Sequence, residues 1–99
     1  MLDIIKNVGN GKADIALAGR LDTVTAPELE QVLSEFLPSL SELTLDFEKL
    51  DYISSAGLRV LLSAQKAMNK QGEMKLRHVG ETIMEIFEVT GFSDILTIE

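Results

Sequence analysis

The strongest constraint on the fold is a change of hydrophobic period in the first half of the chain. Thr25 and Glu28 have the spacing of a helix capping box, with Pro27 in the first turn, and they predict where a helix begins. The apolar residues that follow recur at i, i+3, i+4, i+7 and i+8, as one buried helical stripe: Leu29, Val32, Leu33, Phe36 and Leu37. Pro38 ends this helix, and strict alternation then predicts a strand with Leu43, Leu45 and Phe47 on one face. A helix followed so closely by a strand indicates an α/β chain.

The segment before this helix has the pattern of a β-hairpin. Two strand-like runs, 2–8 and 13–18, are joined through Gly9-Asn10-Gly11-Lys12. Asn10 and Gly11 both tolerate the positive φ angles of a tight hairpin turn, so the two runs are predicted to pair antiparallel.

The second half of the chain predicts two more helices and two more strands. A loop is expected over 48–53, followed by a helix over 58–70 that Ser54-Ser55-Ala56-Gly57 leads into and Gly72 caps. A strand over 74–79, a helix over 82–89 capped by Gly91, and a last strand over 95–98 complete the pattern. The order β-β-α-β-α-β-α-β predicts one α/β domain over residues 1–99, with a mixed sheet whose later strands are parallel and helices packed against it.

Charge and composition exclude several classes of function. The net charge is −7 and the pI is about 4.6, whereas nucleic acid and anionic lipid both need a basic face. No apolar run approaches the roughly 20 residues of a membrane helix, and the start of the chain lacks the layout of a signal peptide. We therefore expect a cytoplasmic protein with no nucleic-acid partner and no direct membrane insertion.

Residues that could hold a metal or cofactor are sparse. The chain has no cysteine, and its one histidine, His78, has no His or Cys companion for zinc. Glycine-rich loops of the kinds that cradle nucleotide phosphates are also missing from the sequence. We expect neither a metal nor a cofactor, and we interpret His78 as a structural or surface residue.

Ser54 and Ser55, at the predicted start of the second helix, are the main candidates for function. A hydroxyl at this place can cap backbone N–H groups, which is the commoner role of such serines. A phosphate at the same place would meet the positive end of the helix dipole. The residues alone leave both roles open.

Longer segments around these serines carry a family resemblance. Tyr52 to Leu62, with the order Tyr-Ile-Ser-Ser-Ala-Gly-Leu-Arg-Val-Leu-Leu, resembles the phosphorylation loop and following helix of the STAS-domain anti-sigma factor antagonists. Gly19-Arg20-Leu21-Asp22 with Thr25-Ala26-Pro27 is similar to the Gly-x-Leu-Asp loop of that family. Segments 86–92 and 95–98 are similar to its C-terminal helix, glycine and final strand. The resemblance covers the whole chain and implies a single STAS domain that binds other proteins and is not an enzyme.

The resemblance also implies a mechanism and a set of site residues. In that family an anti-sigma factor that is itself a serine kinase phosphorylates the serine two residues before the glycine, which corresponds to Ser55 here. The unphosphorylated antagonist binds this kinase and frees a sigma factor, phosphate blocks the binding, and a phosphoserine phosphatase restores it. By the same resemblance the partner surface comprises Asp22, Thr23, Ser54, Ala56, Gly57 and Arg59, and the chain is expected to be a monomer.

Three positions depart from the family pattern. Ser54 stands where Asp is common, so Ser54, or both serines, could accept the phosphate. Ala56 replaces a common Ser or Thr, which removes one polar contact. Arg59 replaces a common Gly and, four residues after Ser55 on a helix, could reach a phosphate through a charge-assisted hydrogen bond.

Two other functions compete with this interpretation. STAS domains also occur as constitutive scaffold subunits of sensory complexes and of lipid-transport ATPases, which makes a scaffold the second hypothesis. A small hydrolase using Ser55 and an aspartate is the third, and it lacks a plausible base near Ser55.

Overall fold

The computed structural model describes residues 2–99 and contains one mixed sheet with helices packed against it. The strands are β1 (Leu2–Gly9), β2 (Lys12–Leu21), β3 (Glu42–Ile53) and β4 (Glu73–Arg77). The helices are α1 (Ala26–Phe36), α2 (Ser55–Gln71) and α3 (Glu81–Thr90), and short 3₁₀ turns cover Leu37–Ser39 and Phe92–Asp94. The sheet order is β1-β2-β3-β4, with β1 antiparallel to β2 and the other neighbours parallel. The predicted α/β class and mixed sheet are confirmed.

The core lies between the helices and one face of the sheet. Alternate side chains of β2 and β3 point into it, among them Ile15, Leu17, Leu45 and Phe47, each at most 1% exposed. The Phe47 ring meets the ring of Phe87 on α3 at a centroid distance of 6.3 Å. The intervening side chains of the two strands are exposed or half-buried, so the period of two in the sequence reports a sheet with one covered face.

The turn chemistry of the sequence is also confirmed. Asn10 and Gly11 have φ angles of 53° and 76°, as the hairpin between β1 and β2 requires. Gly91 ends α3 with a left-handed φ of 84°. Both positions demand a conformation that few residues other than Gly and Asn adopt, so the sequence alone could identify them.

The predicted loop over 48–53 is wrong, because β3 continues to Ile53. Its pairing with β2 shifts twice, between Ala16 and Ala18 and between Gly19 and Arg20, and each shift places one extra residue in β3. These irregularities change the burial period, so that Phe47, Leu50 and Ile53 are buried with two exposed residues between each pair. A search for strict alternation of apolar and polar residues therefore does not identify this part of β3 as a strand.

The predicted last strand over 95–98 is also wrong. The backbone N–H groups of Ile95 and Leu96 donate to the carbonyl of Phe92, which closes the 3₁₀ turn instead of a ladder. Within residues 2–99, the strand pairing of this end with β4 is limited to one isolated β-bridge between Ile98 and Leu76. β4 itself stops at Arg77, short of the predicted Val79, because His78 adopts a positive φ of 56° and leaves the extended conformation.

Candidate functional site

The predicted site residues meet at the C-terminal ends of β2 and β3. Leu21 and Ile53, the last residues of the two strands, are paired in register. The N–H of Ser54 donates to the Leu21 carbonyl at 2.9 Å, and this bond ties the start of α2 to the turn that follows β2. The segment containing Asp22 and the segment containing both serines are therefore neighbours, an arrangement that the family resemblance implies.

The two serines have different roles because α2 begins between them. Ser54 is the N-cap residue: its Oγ accepts from the N–H of Gly57 at 3.4 Å, and its carbonyl accepts from the N–H of Leu58 at 2.9 Å. Ser55 is the first helical residue and is exposed. Its hydroxyl makes no hydrogen bond to any of residues 2–99. The capping role thus belongs to Ser54, and the Ser55 hydroxyl is free.

Gly57 lies beneath this surface rather than on it. A Cβ at position 57 would lie 2.8 Å from Cγ of Leu21 and 2.9 Å from Cγ1 of Ile53. The glycine is buried and lets the first turn of α2 pack directly on the ends of β2 and β3. The predicted phosphorylation site Ser55 is exposed, and among the predicted partner residues Arg59 is exposed while Ser54 and Ala56 are half-buried.

The carboxylate of Asp22 holds its own turn in place. Its Oδ1 accepts from the N–H groups of Val24 and Thr25, each at 3.0 Å. The Thr25 hydroxyl accepts from the N–H of Asp22 at 2.8 Å and donates to the carbonyl of Arg20 at 2.7 Å. The predicted capping box is therefore wrong: Thr25 is the N-cap of α1, but its hydroxyl closes the preceding turn and does not bond to the helix.

The hydrogen bonds of the Asp22 turn predict how the stability of the protein depends on pH. The hydrogen bond from the Thr25 N–H holds the pKa of the Asp22 carboxyl below its ordinary value, and the Val24 N–H and Arg20 act in the same direction. A lowered pKa in the folded state means that the stabilisation is present above the ordinary pKa and is lost as the pH falls through the folded one. Asp22→Asn should therefore be less stable than the parent near pH 7, and the difference measured by urea unfolding should shrink as the pH falls towards 3. A constant difference across that range would contradict the prediction.

Two exposed residues that sequence reasoning missed lie in the two segments that hold Asp22 and the serines. Val24, at the tip of the Asp22 turn, is 80% exposed, and Tyr52 is 38% exposed. The guanidinium of Arg20 lies 4.3 Å from the centre of the Tyr52 ring, in cation–π contact. In the sequence, Val24 is an apolar residue that lies outside the apolar stripe of α1, and this position could have indicated that its side chain is exposed. Val24, Tyr52, Ser55 and Arg59 are together called the site face below.

The described residues contain one group that could hold a metal ion, away from the serines in sequence. Asp46, Glu48 and His78 bring potential ligand atoms within 4.8 Å of one another. Nδ1 of His78 lies 3.0 Å from Asp46 Oδ1, within hydrogen-bond distance, and 3.9 Å from Glu48 Oε2, so the three side chains meet at the end of β4. The N–H of Glu48 and then His78 hold the pKa of Asp46 below its ordinary value. The sequence search for His and Cys companions missed these carboxylates.

None of the helices within residues 2–99 combines the length and the apolar character that crossing a membrane would require.

Fold and site together define a small α/β domain with an exposed serine at the start of a helix on the C-terminal edge of a mixed sheet. A family model described as "Mlab, STAS domain" matches residues 9–97, and the chain belongs to the STAS domain family. The anti-sigma-B factor antagonist of Listeria monocytogenes is 32% identical over 97 residues, covering 96% of this chain and 85% of that relative. The family resemblance of the sequence is confirmed.

Solved structures share the fold at lower sequence identity. An anti-sigma factor antagonist from Mycobacterium paratuberculosis has a TM-score of 0.89 at 20% identity, covering 99% of this chain and 85% of that one. The anti-sigma factor antagonist SpoIIAA in its unphosphorylated form has a TM-score of 0.78 at 16% identity, covering 98% and 87%. The Bacillus cell fate determinant SpoIIAA in the phosphorylated form has a TM-score of 0.77 at 17% identity, covering 98% and 91%.

Proposed function

We propose that this chain is an anti-sigma factor antagonist switched by phosphorylation of Ser55. The unphosphorylated form binds an anti-sigma factor serine kinase in the cytoplasm and frees a sigma factor, and a phosphoserine phosphatase reverses the modification. The observation that carries the proposal is the free, exposed hydroxyl of Ser55 at the first position of α2. The relative that is 32% identical and named an anti-sigma-B factor antagonist supports the same role.

The geometry supports a binding surface around this hydroxyl. Val24 lies in the turn that is tied to the start of α2, Tyr52 precedes Ser55 by three residues, and exposed apolar and aromatic residues of this kind are typical anchors of protein interfaces. Asp22 fixes the turn that presents Thr23 and Val24, so we assign it a positioning role in partner binding. A phosphate on Ser55 would add about −1.5 to −2 charges in the middle of this surface, where a partner must displace water.

The direct test is phosphorylation by a candidate anti-sigma kinase from the same cell, with ATP and magnesium. Intact mass and peptide mapping should show one phosphate on the parent and on Ser54→Ala, and none on Ser55→Ala. Phosphate retained on Ser55→Ala would move the site to Ser54. A kinase that is active on another substrate but modifies none of the three proteins would overturn the proposed switch.

The division of roles between the serines predicts opposite effects on stability and on modification. Ser54→Ala removes the cap and should lower the free energy of unfolding by about 0.5 to 1 kcal/mol, at the low end for a cap because its bond is long. Ser55→Ala removes a hydroxyl that has no partner among residues 2–99 and should change stability by less than about 0.5 kcal/mol. Urea unfolding measures both, and a larger loss for Ser55→Ala would reverse the assignment.

A second candidate function is favoured by the name of the matching family model, Mlab. In this alternative the domain is a constitutive scaffold subunit of a larger assembly, such as a sensory complex or a lipid-transport ATPase. Purification from the native cell discriminates the two candidates: stable recovery with an ATPase or permease subunit favours the scaffold, and recovery with an anti-sigma kinase favours the switch.

A further inference from the structure

Arg59 follows Ser55 on α2 at a distance of four residues, and both side chains are exposed. Helical side chains lean towards the N-terminus of their helix, so Arg59 leans towards the turn that begins with Ser55. An acidic group followed by a cation four residues later is the favourable order for an ion pair on a helix. A phosphate on Ser55 would occupy the acidic position of such a pair.

Arg59 forms no ion pair with an acidic residue among residues 2–99. Its helical neighbours at three and four residues are Ser55, Ala56, Leu62 and Ser63, none of which is charged. No carboxylate among residues 2–99 lies within 4.0 Å of its guanidinium, whereas Arg20 pairs with Asp22 and Arg77 with Glu99. Arg59 is thus the one arginine of the chain that has no ion pair within the described residues.

The first turn of α2 lacks the negative charge that the other helices have. Glu28 and Glu81 lie in the first turns of α1 and α3, but α2 has no acidic residue there. Ser54 accepts the N–H groups of Gly57 and Leu58, and the N–H groups of Ser55 and Ala56 have no acceptor within residues 2–99. A phosphate on Ser55 would supply both a charge and acceptor oxygens at this place.

Building on the proposed phosphorylation of Ser55, we propose that Arg59 is the internal counter-charge of the phosphate. Phosphorylation then acts in two ways, because it adds a charged group to the site face and also withdraws Arg59 from the partner. Asp22 lies in the turn that is tied to the start of α2, and Glu30 of α1 lines a groove with Val60 and Ser63 of α2. Both acids would repel the phosphate, and Arg59 would offset part of that repulsion.

The test uses a chain with phosphoserine installed at position 55 during translation, so that it does not depend on any kinase. A ³¹P NMR titration gives the second pKa of the phosphoserine, which should be lower in the parent than in Arg59→Gln by roughly 0.3 unit or more. Lys66→Gln, which removes a charge further along the same helix, should titrate like the parent, and Arg59→Lys should keep part of the shift.

Equal titration of the parent and Arg59→Gln would overturn the inference, as would an equal shift in Lys66→Gln. The ¹⁵N resonance of the Arg59 Nε is a second measurement on the same samples, and it should move when position 55 carries phosphate. A kinase that fails to modify Ser55 would remove the proposed function but would leave these two results unchanged. The two failures are therefore distinguishable.

Discussion

Phosphorylation of Ser55 is expected to weaken binding of the anti-sigma factor kinase by about 100-fold or more. The phosphate would sit on the exposed first residue of α2, on a surface that must lose water when a partner binds. Arg59 offsets at most one of the phosphate's charges, so taking the remaining charge out of water still costs several kcal/mol, and each 1.4 kcal/mol changes affinity tenfold. Isothermal titration of the ADP-bound kinase with parent and phosphoserine-55 chains measures the difference without turnover.

A phosphate at Ser39 is the matched control for this experiment. Ser39 is exposed and precedes the N-terminal end of β3, whereas Ser55 follows its C-terminal end, so the same charge is placed at the opposite edge of the sheet. The chain already carries a net charge of −7, and any effect of total charge should appear equally at both positions. Phosphoserine-39 should bind like the parent. Equal weakening at both serines would show that the site face is not the interface.

Sequence reasoning located the helices well because side-chain burial produces the apolar pattern directly. The stripe from Leu29 to Leu37 and the helix of 58–70 both correspond to helices, although α2 begins three residues earlier, at Ser55. The strands were harder, since their faces depend on pairing that the sequence does not display. The two register shifts in β3 and the turn at Phe92 arise from tertiary contacts. Neither changes the alternation of apolar and polar residues in a way that the sequence alone would show.

The location of the site along the chain could be predicted, but the hydrogen bonds within it could not. The family resemblance implied that Asp22 and the serines share one surface, and the residue pattern predicted a helix that the serines lead into. Which serine is the cap and which has a free hydroxyl depends on the single residue at which that helix begins. Side-chain orientation in the Asp22 turn is likewise decided by competing hydrogen bonds, since Thr25 had two possible roles and the structure shows the one within the turn. The spacing of apolar residues in the sequence does not indicate which hydrogen bonds a single side chain makes.

Gly72→Ala is expected to lower the free energy of unfolding by about 3 kcal/mol or more. Gly72 caps α2 where the chain turns into β4, and its φ of 171° is extended backbone that any residue can adopt. The reason for glycine is contact: a Cβ there would lie 1.8 Å from the carbonyl oxygen of Ser41. That oxygen accepts the N–H of Glu73 at 3.0 Å, so the clash must displace the backbone at the start of β4. Overpacking against backbone has a cost at the upper end of its usual range.

The matched control is Gly9→Ala at the end of β1, where nothing lies within 4 Å of the added Cβ. It should change stability by less than about 0.5 kcal/mol, since it tests glycine removal without a clash. Thermal unfolding should show Gly72→Ala melting about 12 °C or more below the parent, given the usual relation for a domain of this size. A melting temperature within a few degrees of the parent would mean that the α2–β4 junction can open to admit a methyl group. The close approach of Ser41 to Gly72 would then not be what fixes the end of α2 against the sheet.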